Sequence, residues 1–237
     1  MQLERILQSQ GFGSRKQCRA MIRHGLVAIG DAICDDPFIE LEPQDLTFSV
    51  DGEPWRYRAH AYLMLHKPQG YECSRAPKHH PSIFSLLPEP LVNREVQSVG
   101  RLDEDTTGLL LLTDDGQFIH RLTSPKHKVA KVYAVTTKHP VDDAQLARLC
   151  RGVQLHDEPR PIAAAACARI DAHLIHLTLI EGKYHQVKRM VAAAGNRVEG
   201  LRRIAIGGLT LPDDLAPGAW RWLEADDLAC LGQPPHA

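Results

Sequence analysis

Apolar positions in the first fifty residues alternate between helical and strand-like spacing. Leucines and isoleucines recur every three to four residues up to Gly11, which predicts a first helix. A second helix is predicted from its N-cap, Ser14, to its stop at Gly25. The short apolar runs 26–30 and 46–50 predict strands. These fifty residues are therefore expected to form a small α/β unit.

The rest of the chain reads as a larger α+β domain. Helices are predicted over 141–152 and 183–194, and a short one near the C-terminus. Strands are predicted at several places: 61–67, 109–112, 131–137, two within 168–182, and two in the tail. They do not alternate regularly with long helices, so we expect a mixed, largely antiparallel sheet. The predicted division is a module over 1–50, a polar linker over 51–60 and the α+β domain over 61–237.

Composition narrows the class of protein. The 237 residues are 43% hydrophobic and 24% charged, as in ordinary globular proteins, and no apolar run is long enough to span a bilayer. The first residues lack the features of a signal peptide, so we expect a cytoplasmic protein without a membrane partner. The six cysteines contain no CxxC pair and the thirteen histidines no HExxH, so reduced thiols and no metal site are predicted.

Charge is unevenly distributed, although the net charge is only −1. The second predicted helix carries a basic stripe with a four-residue period and has no acid over 14–24. Acidic residues follow only afterwards, between 31 and 45. Such a patch can bind nucleic-acid phosphates, or it can be a solvated helix face, and the spacing alone does not decide between them. The stripe consists of Arg15, Lys16, Arg19 and Arg23.

The stretch GRLDEDTTG (100–108) places three acids directly before the apolar run 109–112. It could be an acidic turn, with side chains bonding the backbone. A calcium loop is disfavoured because leucines occupy the positions where further ligands would be needed. The DxDxT pattern of haloacid dehalogenase-type phosphatases is also disfavoured. In those enzymes the apolar strand precedes the aspartate, whereas here it follows.

A further interpretation takes in three motifs together. GRLDEDTTGLLLLTDDG, KVYAV and EGKYHQVKRM occur in the order and spacing found in pseudouridine synthases of the RsuA/RluA type. The flanking segments LHKPQG, TSPKHKVAKVY and LRRIAIGGLTL agree, and SRKQCRAMIRHGLVAIGDAI resembles an S4 RNA-binding module. The resemblance covers essentially the whole chain and is greatest to the RsuA-type enzymes of the small ribosomal subunit. It implies a pseudouridine synthase fold and the isomerisation of uridine in RNA.

The resemblance also implies roles for individual residues. Asp103 is the catalytic carboxylate, and Lys188 is the cation that keeps it ionised, in place of an arginine common in related groups. Tyr133 is a platform for the flipped uridine, and Arg101 helps to displace that base. Other residues are expected to contact RNA. They are the four basic residues of the stripe together with Lys183, His185, Gln186, Leu201 and Arg203, of which Leu201 closes the apolar wall.

Isomerising uridine breaks an N-glycosidic bond and rejoins the base through C5, with no net redox change and no group donor. No cofactor is therefore expected. Asp103 would act either as a nucleophile or as a base that removes a sugar proton, and both routes stay open. The expected partner is small-subunit (16S) rRNA or its assembly intermediate, bound by a monomer. The alternatives are a large-subunit rRNA substrate and a non-catalytic RNA-binding assembly factor.

Overall fold

The structure, a computed structural model, describes residues 1–235. The chain divides into two compact units. The first contains Met1–Ala61 together with the short segments Leu87–Gln97 and Thr113–Asp115, and the second contains the remainder. No helix within the described residues has the length and apolar character needed to cross a membrane.

The first unit begins with two helices, α1 (Leu3–Ser9) and α2 (Arg15–Arg23). As predicted, Ser14 caps α2, and its side chain and that of Gln17 form a capping box. A four-stranded sheet follows in the order β2-β1-β3-β4. Its strands are β1 (Val27–Ile29), β2 (Ala32–Ile33), β3 (Thr47–Val50) and β4 (Glu53–Arg56).

The segment 51–60 contains structure where the sequence indicates a linker. Strand β4 lies within it and pairs antiparallel with β3. Helix α3 (Glu89–Asn93) also belongs to this unit, and Arg94, which follows it, pairs with Asp114 at 2.6 Å. Arg94 also donates hydrogen bonds to the carbonyl of Arg58 and the side chain of Gln10, both at 3.0 Å. Residues distant in the chain therefore complete the first unit.

The second unit is built on a nine-stranded sheet. Its main path runs β13-β5-β7-β11-β8-β10-β9, with β12 paired to β11 and β6 paired to β7. Strands β7 and β11 run parallel, and the pairs β13–β5, β11–β8, β8–β10, β10–β9 and β11–β12 are antiparallel. This confirms the predicted mixed, largely antiparallel sheet. The strands are β5 (Tyr62–Lys67), β6 (Gln97–Ser98), β7 (Thr107–Thr113), β8 (Lys131–Thr137), β9 (Ala166–Arg169), β10 (Leu174–Leu179), β11 (Val198–Ile206), β12 (Leu209–Thr210) and β13 (Trp220–Trp222).

Four helices lie in the second unit: α4 (Gly116–Thr123), α5 (Asp143–Arg151), α6 (Gln186–Ala193) and α7 (Ala225–Cys230). Two short 3₁₀ helices cover Ile83–Leu86 and Pro125–His127. One apolar core joins α5 and α6 to β8 and β10, and another joins α4 to β5 and β7. The four leucines of β7 are completely buried, which explains the continuous apolar run at 109–112.

Three helices differ from the sequence prediction, and strand β11 was not predicted. No helix was predicted at α3. Helix α4 was not predicted, and it follows directly after the Asp-Asp turn that ends β7. Helix α6 begins at Gln186 rather than at Lys183, because His185 adopts a left-handed conformation with φ 46°. The side chain of Gln186 accepts a hydrogen bond from the Lys183 backbone at 2.9 Å and closes a turn before the helix.

Candidate active site

The three acids lie in a tight turn at the entrance to β7. The Thr106 backbone N–H donates to the carbonyl of Asp103 at 3.1 Å. The buried Lys67 ammonium fixes this turn from beneath, donating to the carbonyls of Glu104 at 3.0 Å and Thr106 at 2.9 Å. Gly70 adds a backbone hydrogen bond to the same Glu104 carbonyl at 2.9 Å. The acidic turn is therefore held rigidly by groups from the end of β5 and the residues after it.

The carboxylate of Asp103 faces two cationic or potentially cationic side chains. Lys188 Nζ lies 3.2 Å from its Oδ2, and His185 Nε2 lies 3.4 Å from its Oδ1. The same Lys188 ammonium donates to Asp105 Oδ1 at 2.6 Å. Helix α6 thus supplies one ammonium shared by two carboxylates.

Electrostatics at this cluster favour ionised groups. Burial tends to raise the pKa of Asp105, but the hydrogen bond and charge of Lys188 outweigh it, and the pKa is lowered. Burial likewise tends to lower the pKa of Lys188, and the hydrogen bond to Asp105 and the charge of Asp103 raise it above its ordinary value. The lysine is therefore a fixed positive charge beside Asp103.

A small pocket of 70 Å³ opens beside the Asp103 carboxylate. Tyr133 of β8 and Leu201 of β11 form part of its wall, and both Arg101 and Thr106 line it as well. Strands β8 and β11 are paired, with Leu201 opposite Val135 and Tyr133 opposite Arg203, so the sheet itself positions the tyrosine and the leucine. The pocket brings together an aromatic ring, an apolar side chain, a cation and a carboxylate.

Three further residues expected to contact RNA also line this pocket: Lys183, His185 and Gln186. Lys183 is committed to an ion pair with Glu158 at 2.7 Å, which raises the pKa of the lysine. The Gln186 side chain is only 4% exposed, and its amide nitrogen donates to Glu181 at 2.9 Å. Gln186 therefore shapes the turn before α6, and its amide is already engaged within the protein.

Arg203 does not lie where an RNA contact requires. It is only 4% exposed, and its Nε donates to the Leu109 carbonyl at 2.7 Å. The sequence shows only the basic pair Arg202-Arg203, without a predicted strand. In the structure the pair lies on β11, where inward-facing and outward-facing residues alternate. In this structure Arg203 lies beside Tyr133 on the neighbouring strand and hydrogen-bonds within the sheet.

The basic stripe of α2 is partly neutralised within the first unit. Arg19 pairs with the buried carboxylate of Glu4, and the hydrogen bond from Arg19 lowers the pKa of that acid. Arg15 donates to the side chain of Gln8 at 3.1 Å. Arg15, Lys16 and Arg23 are exposed to solvent.

Sequence reasoning missed two residues of the site. Lys67 was noted only as the end of a strand, and because lysine is rarely buried, nothing in the local sequence indicates that its ammonium lies inside the protein. The Thr106 hydroxyl is buried and has no hydrogen-bond partner among the described residues. No local pattern could have shown this, because the groups around Thr106 come from distant strands.

The acids do not assemble a metal centre in the described part of the chain, where no group of three or more histidine, cysteine, aspartate or glutamate side chains is placed to hold an ion. Asp103 and Asp105 instead share a lysine. The motif also precedes β7 rather than following an apolar strand, which is the reverse of the phosphatase arrangement.

Comparison with known proteins agrees with this geometry. Residues 61–193 match the RNA pseudouridylate synthase family, and residues 1–46 match the S4 domain. The chain is 43% identical to ribosomal small subunit pseudouridine synthase A of Yersinia pestis, covering 99% of both chains. It is 42% identical to the Escherichia coli K12 protein of that name, over 98% of this chain and all of the relative.

A crystal structure described as a pseudouridylate synthase superimposes with a TM-score of 0.69 at 37% sequence identity. The match covers 98% of this chain and 99% of that one. Because the family match spans more than half of the chain and these relatives match along its length, the protein belongs to the RNA pseudouridylate synthase family and is an isomerase that carries an S4 domain.

Proposed function

We propose that this enzyme converts one uridine of small-subunit rRNA to pseudouridine, with Asp103 as the catalytic carboxylate. The observation that carries the proposal is the position of Asp103. Its carboxylate lies 3.2 Å from Lys188 and lines the same pocket as Tyr133. The full-length relatives named as small-subunit enzymes support the choice of rRNA.

In this proposal Lys188 and Asp103 have different roles. Lys188 is the fixed positive charge that orients Asp103, while the carboxylate acts at the sugar, either as a nucleophile or as a base. The N-glycosidic bond breaks, the base turns, and C5 takes the place of the ring nitrogen at the sugar. The proton lost from C5 is balanced by the proton gained at the nitrogen, so no external reactant is consumed.

The target uridine must leave its stack to reach a carboxylate inside a pocket. Tyr133 offers an aromatic face for the extruded base, and Leu201 offers an apolar surface beside it. Arg101 is exposed at the pocket and is placed to occupy the gap left in the RNA. The exposed basic residues of α2, which are Arg15, Lys16 and Arg23, would hold RNA phosphates.

The substrate assignment is tested by incubating the protein with unmodified small-subunit rRNA, its assembly intermediate, or large-subunit rRNA. Pseudouridine is then mapped by carbodiimide labelling and primer extension. We expect one new stop in small-subunit RNA. A stop only in large-subunit RNA would move the substrate to that subunit. No stop in any RNA would contradict the enzymatic proposal and favour a binding factor.

Two further parts of the proposal are the compartment in which the enzyme acts and its oligomeric state. Ribosomal RNA as a substrate implies action in the cytoplasm, where bacterial ribosomes are assembled. We further propose that the enzyme acts as a monomer, since the residues that line the pocket all lie in the second unit. Sedimentation of the active enzyme with its RNA would measure whether one or two protein chains are bound. An active species found only as a dimer would contradict it.

A further inference from the structure

One aromatic side chain beside the active site is far more exposed than packing requires. Tyr184 is 73% exposed, the highest value among the large hydrophobic side chains exposed in the described residues. It precedes His185, whose Nε2 is 3.4 Å from Asp103. Exposure of a single ring is common at protein surfaces, so its meaning depends on what orients the ring and what it borders.

The exposed ring is held in a fixed orientation. Its plane stacks on the His185 imidazole, with the centroids 3.8 Å apart and an angle of 19° between the rings. The Arg189 guanidinium donates to the Tyr184 carbonyl at 3.2 Å and anchors the backbone. His185 itself has a left-handed φ of 46°, which is costly for a residue with a side chain. The stack therefore presents one flat aromatic face to solvent.

This face borders a second cavity next to the reaction pocket. The cavity measures 460 Å³, against 70 Å³ for the pocket that holds Tyr133. Asp103, Arg101 and His185 line both, so the two spaces adjoin at the catalytic carboxylate. The larger cavity has room for a part of the RNA next to the reacting uridine.

Charges of both signs line this larger cavity, and its cations are Arg101 and Lys183. Glu72, Asp103 and Glu104 all line it. Hydrogen bonds from the backbone of His79, Lys78 and His80 lower the pKa of Glu72, which keeps that acid ionised. The lining therefore does not select a phosphate by charge, whereas an uncharged nucleobase can stack on the tyrosine ring.

We infer that Tyr184, backed by His185, is a stacking subsite for a nucleobase adjacent to the target uridine. This inference rests on the proposed function, because it assumes an RNA substrate at Asp103. It assigns Tyr184 to substrate binding and sequence context rather than to the chemical step. The base that stacks there must be unpaired or splayed out of its helix.

The first test compares Tyr184→Leu, which keeps bulk but removes the aromatic face, with Tyr184→Phe, which keeps the face. Base stacking on an aromatic ring corresponds to about 5- to 150-fold in affinity. We expect Tyr184→Leu to raise KM within that range with kcat within about twofold, and Tyr184→Phe to match wild type. The matched control is Ile170→Ala, an exposed apolar residue that does not line either cavity. It should leave KM unchanged.

The second test removes single bases from a short RNA on either side of the target. We expect one abasic RNA to raise the KM of the wild-type enzyme by the same factor as Tyr184→Leu does with intact RNA. Combining that RNA with Tyr184→Leu should raise KM no further. The inference is overturned if Tyr184→Leu changes KM less than twofold. It is also overturned if Tyr184→Leu lowers kcat rather than raising KM. A third contradicting result is that the effects of Tyr184→Leu and of the abasic site add up for every abasic RNA tested.

A contact with a ribosomal protein is the competing explanation for the exposed ring. In that case Tyr184→Leu would weaken activity on an assembly intermediate but not the binding of naked RNA, and the base-stacking inference would be wrong. RNA binding is measured in the Asp103→Asn background, which needs no turnover. If wild type forms pseudouridine in no rRNA, the proposed function fails, whereas the binding comparison still decides whether Tyr184 stacks on a base.

Discussion

The ammonium of Lys188 is the only cation that both Asp103 and Asp105 contact among the described residues. Without it the two carboxylates would repel each other across a partly buried turn. Its contribution is thus to offset the repulsion between the two carboxylates and to hold Asp103 in position. Preorganised charges of this kind typically contribute about 100-fold or more to catalysis.

We expect Lys188→Met to lower kcat by about 100-fold with little change in KM, because the lost charge orients the carboxylate rather than binding RNA. Lys188→Arg retains the charge and should recover activity to within about tenfold of wild type. Single-turnover kinetics on the target RNA provide the measurement. Full activity of Lys188→Met would show that Asp103 needs no cation.

A second lysine gives a pH-dependent prediction. Burial, with a further contribution from the nearby positive charge of Arg203, lowers the pKa of Lys131 to about 8, whereas an unfolded lysine titrates near 10.4. Below pH 8 the folded protein bears the cost of a partly buried charge. Between pH 8 and about 10.4 the folded form loses this proton first, so the stability of wild type rises with pH.

Lys131→Met should therefore stabilise the protein by about 1 to 3 kcal/mol at pH 7, and this gain should fade to zero above about pH 10.4. Urea unfolding across this pH range measures the difference between the two proteins. A difference that is absent at pH 7, or that grows as the pH rises, would show that the lysine is not destabilised by burial.

Strand β7 depends on one glycine of the catalytic motif. Gly108 has φ +105°, and a Cβ built there would lie 2.2 Å from the Arg203 carbonyl of the parallel neighbour β11. The Thr-Gly pair after the acids is therefore required by close packing of two strands. It fixes the distance between the Asp103 turn and the strand that carries Leu201.

Gly108→Ala should destabilise the protein by about 3 kcal/mol or more, because both the backbone conformation and the contact are incompatible with a methyl group. The control is Gly116→Ala at the start of α4, where no atom lies within 4 Å of the added Cβ. That substitution should be neutral or stabilising by up to about 1 kcal/mol. Thermal melts of both variants check this, and equal melting temperatures would contradict the role of Gly108.

The basic residues of helix α2 are expected to have two different roles: three bind RNA, and Arg19 stabilises the fold. We expect Arg15→Gln, Lys16→Gln and Arg23→Gln each to weaken RNA binding, and each to reduce the slope of log affinity against log salt by about 1. Arg19→Gln should instead lower the melting temperature, because it leaves the buried Glu4 without its cation. Binding titrations at several salt concentrations test the set. An unchanged slope for all three exposed variants would remove α2 from the RNA interface.

Local patterns predicted many of the helices and strands correctly, but not β11, the longest strand of the described residues. Strand β8 matches the predicted 131–137, and α2 has its predicted cap at Ser14. Helix α4 was missed, and α6 starts three residues later than expected. Both differences come from turns whose geometry depends on side chains rather than on apolar periodicity.

At the level of the whole chain, the motifs predicted residues that line the pocket but not the buried residues that hold them in place. Asp103, Tyr133 and Leu201 meet because β8 and β11 pair beside β7. The family resemblance assigned the three residues to one site, but the strand pairing that brings them together was not predicted. The roles of Lys67 beneath the turn and of buried Arg203 depend on contacts between residues far apart in sequence. Residue type and spacing carry no information about which of several basic side chains turns inward.

The central claim is that one carboxylate of three performs the chemistry. The most direct measurement is pseudouridine formation in small-subunit rRNA by Asp103→Asn, Glu104→Gln and Asp105→Asn, with RNA binding measured in parallel. We expect Asp103→Asn to bind RNA and form no detectable pseudouridine, while the other two variants retain activity within about tenfold. Activity in Asp103→Asn, or its loss only in Asp105→Asn, would contradict the assignment of Asp103.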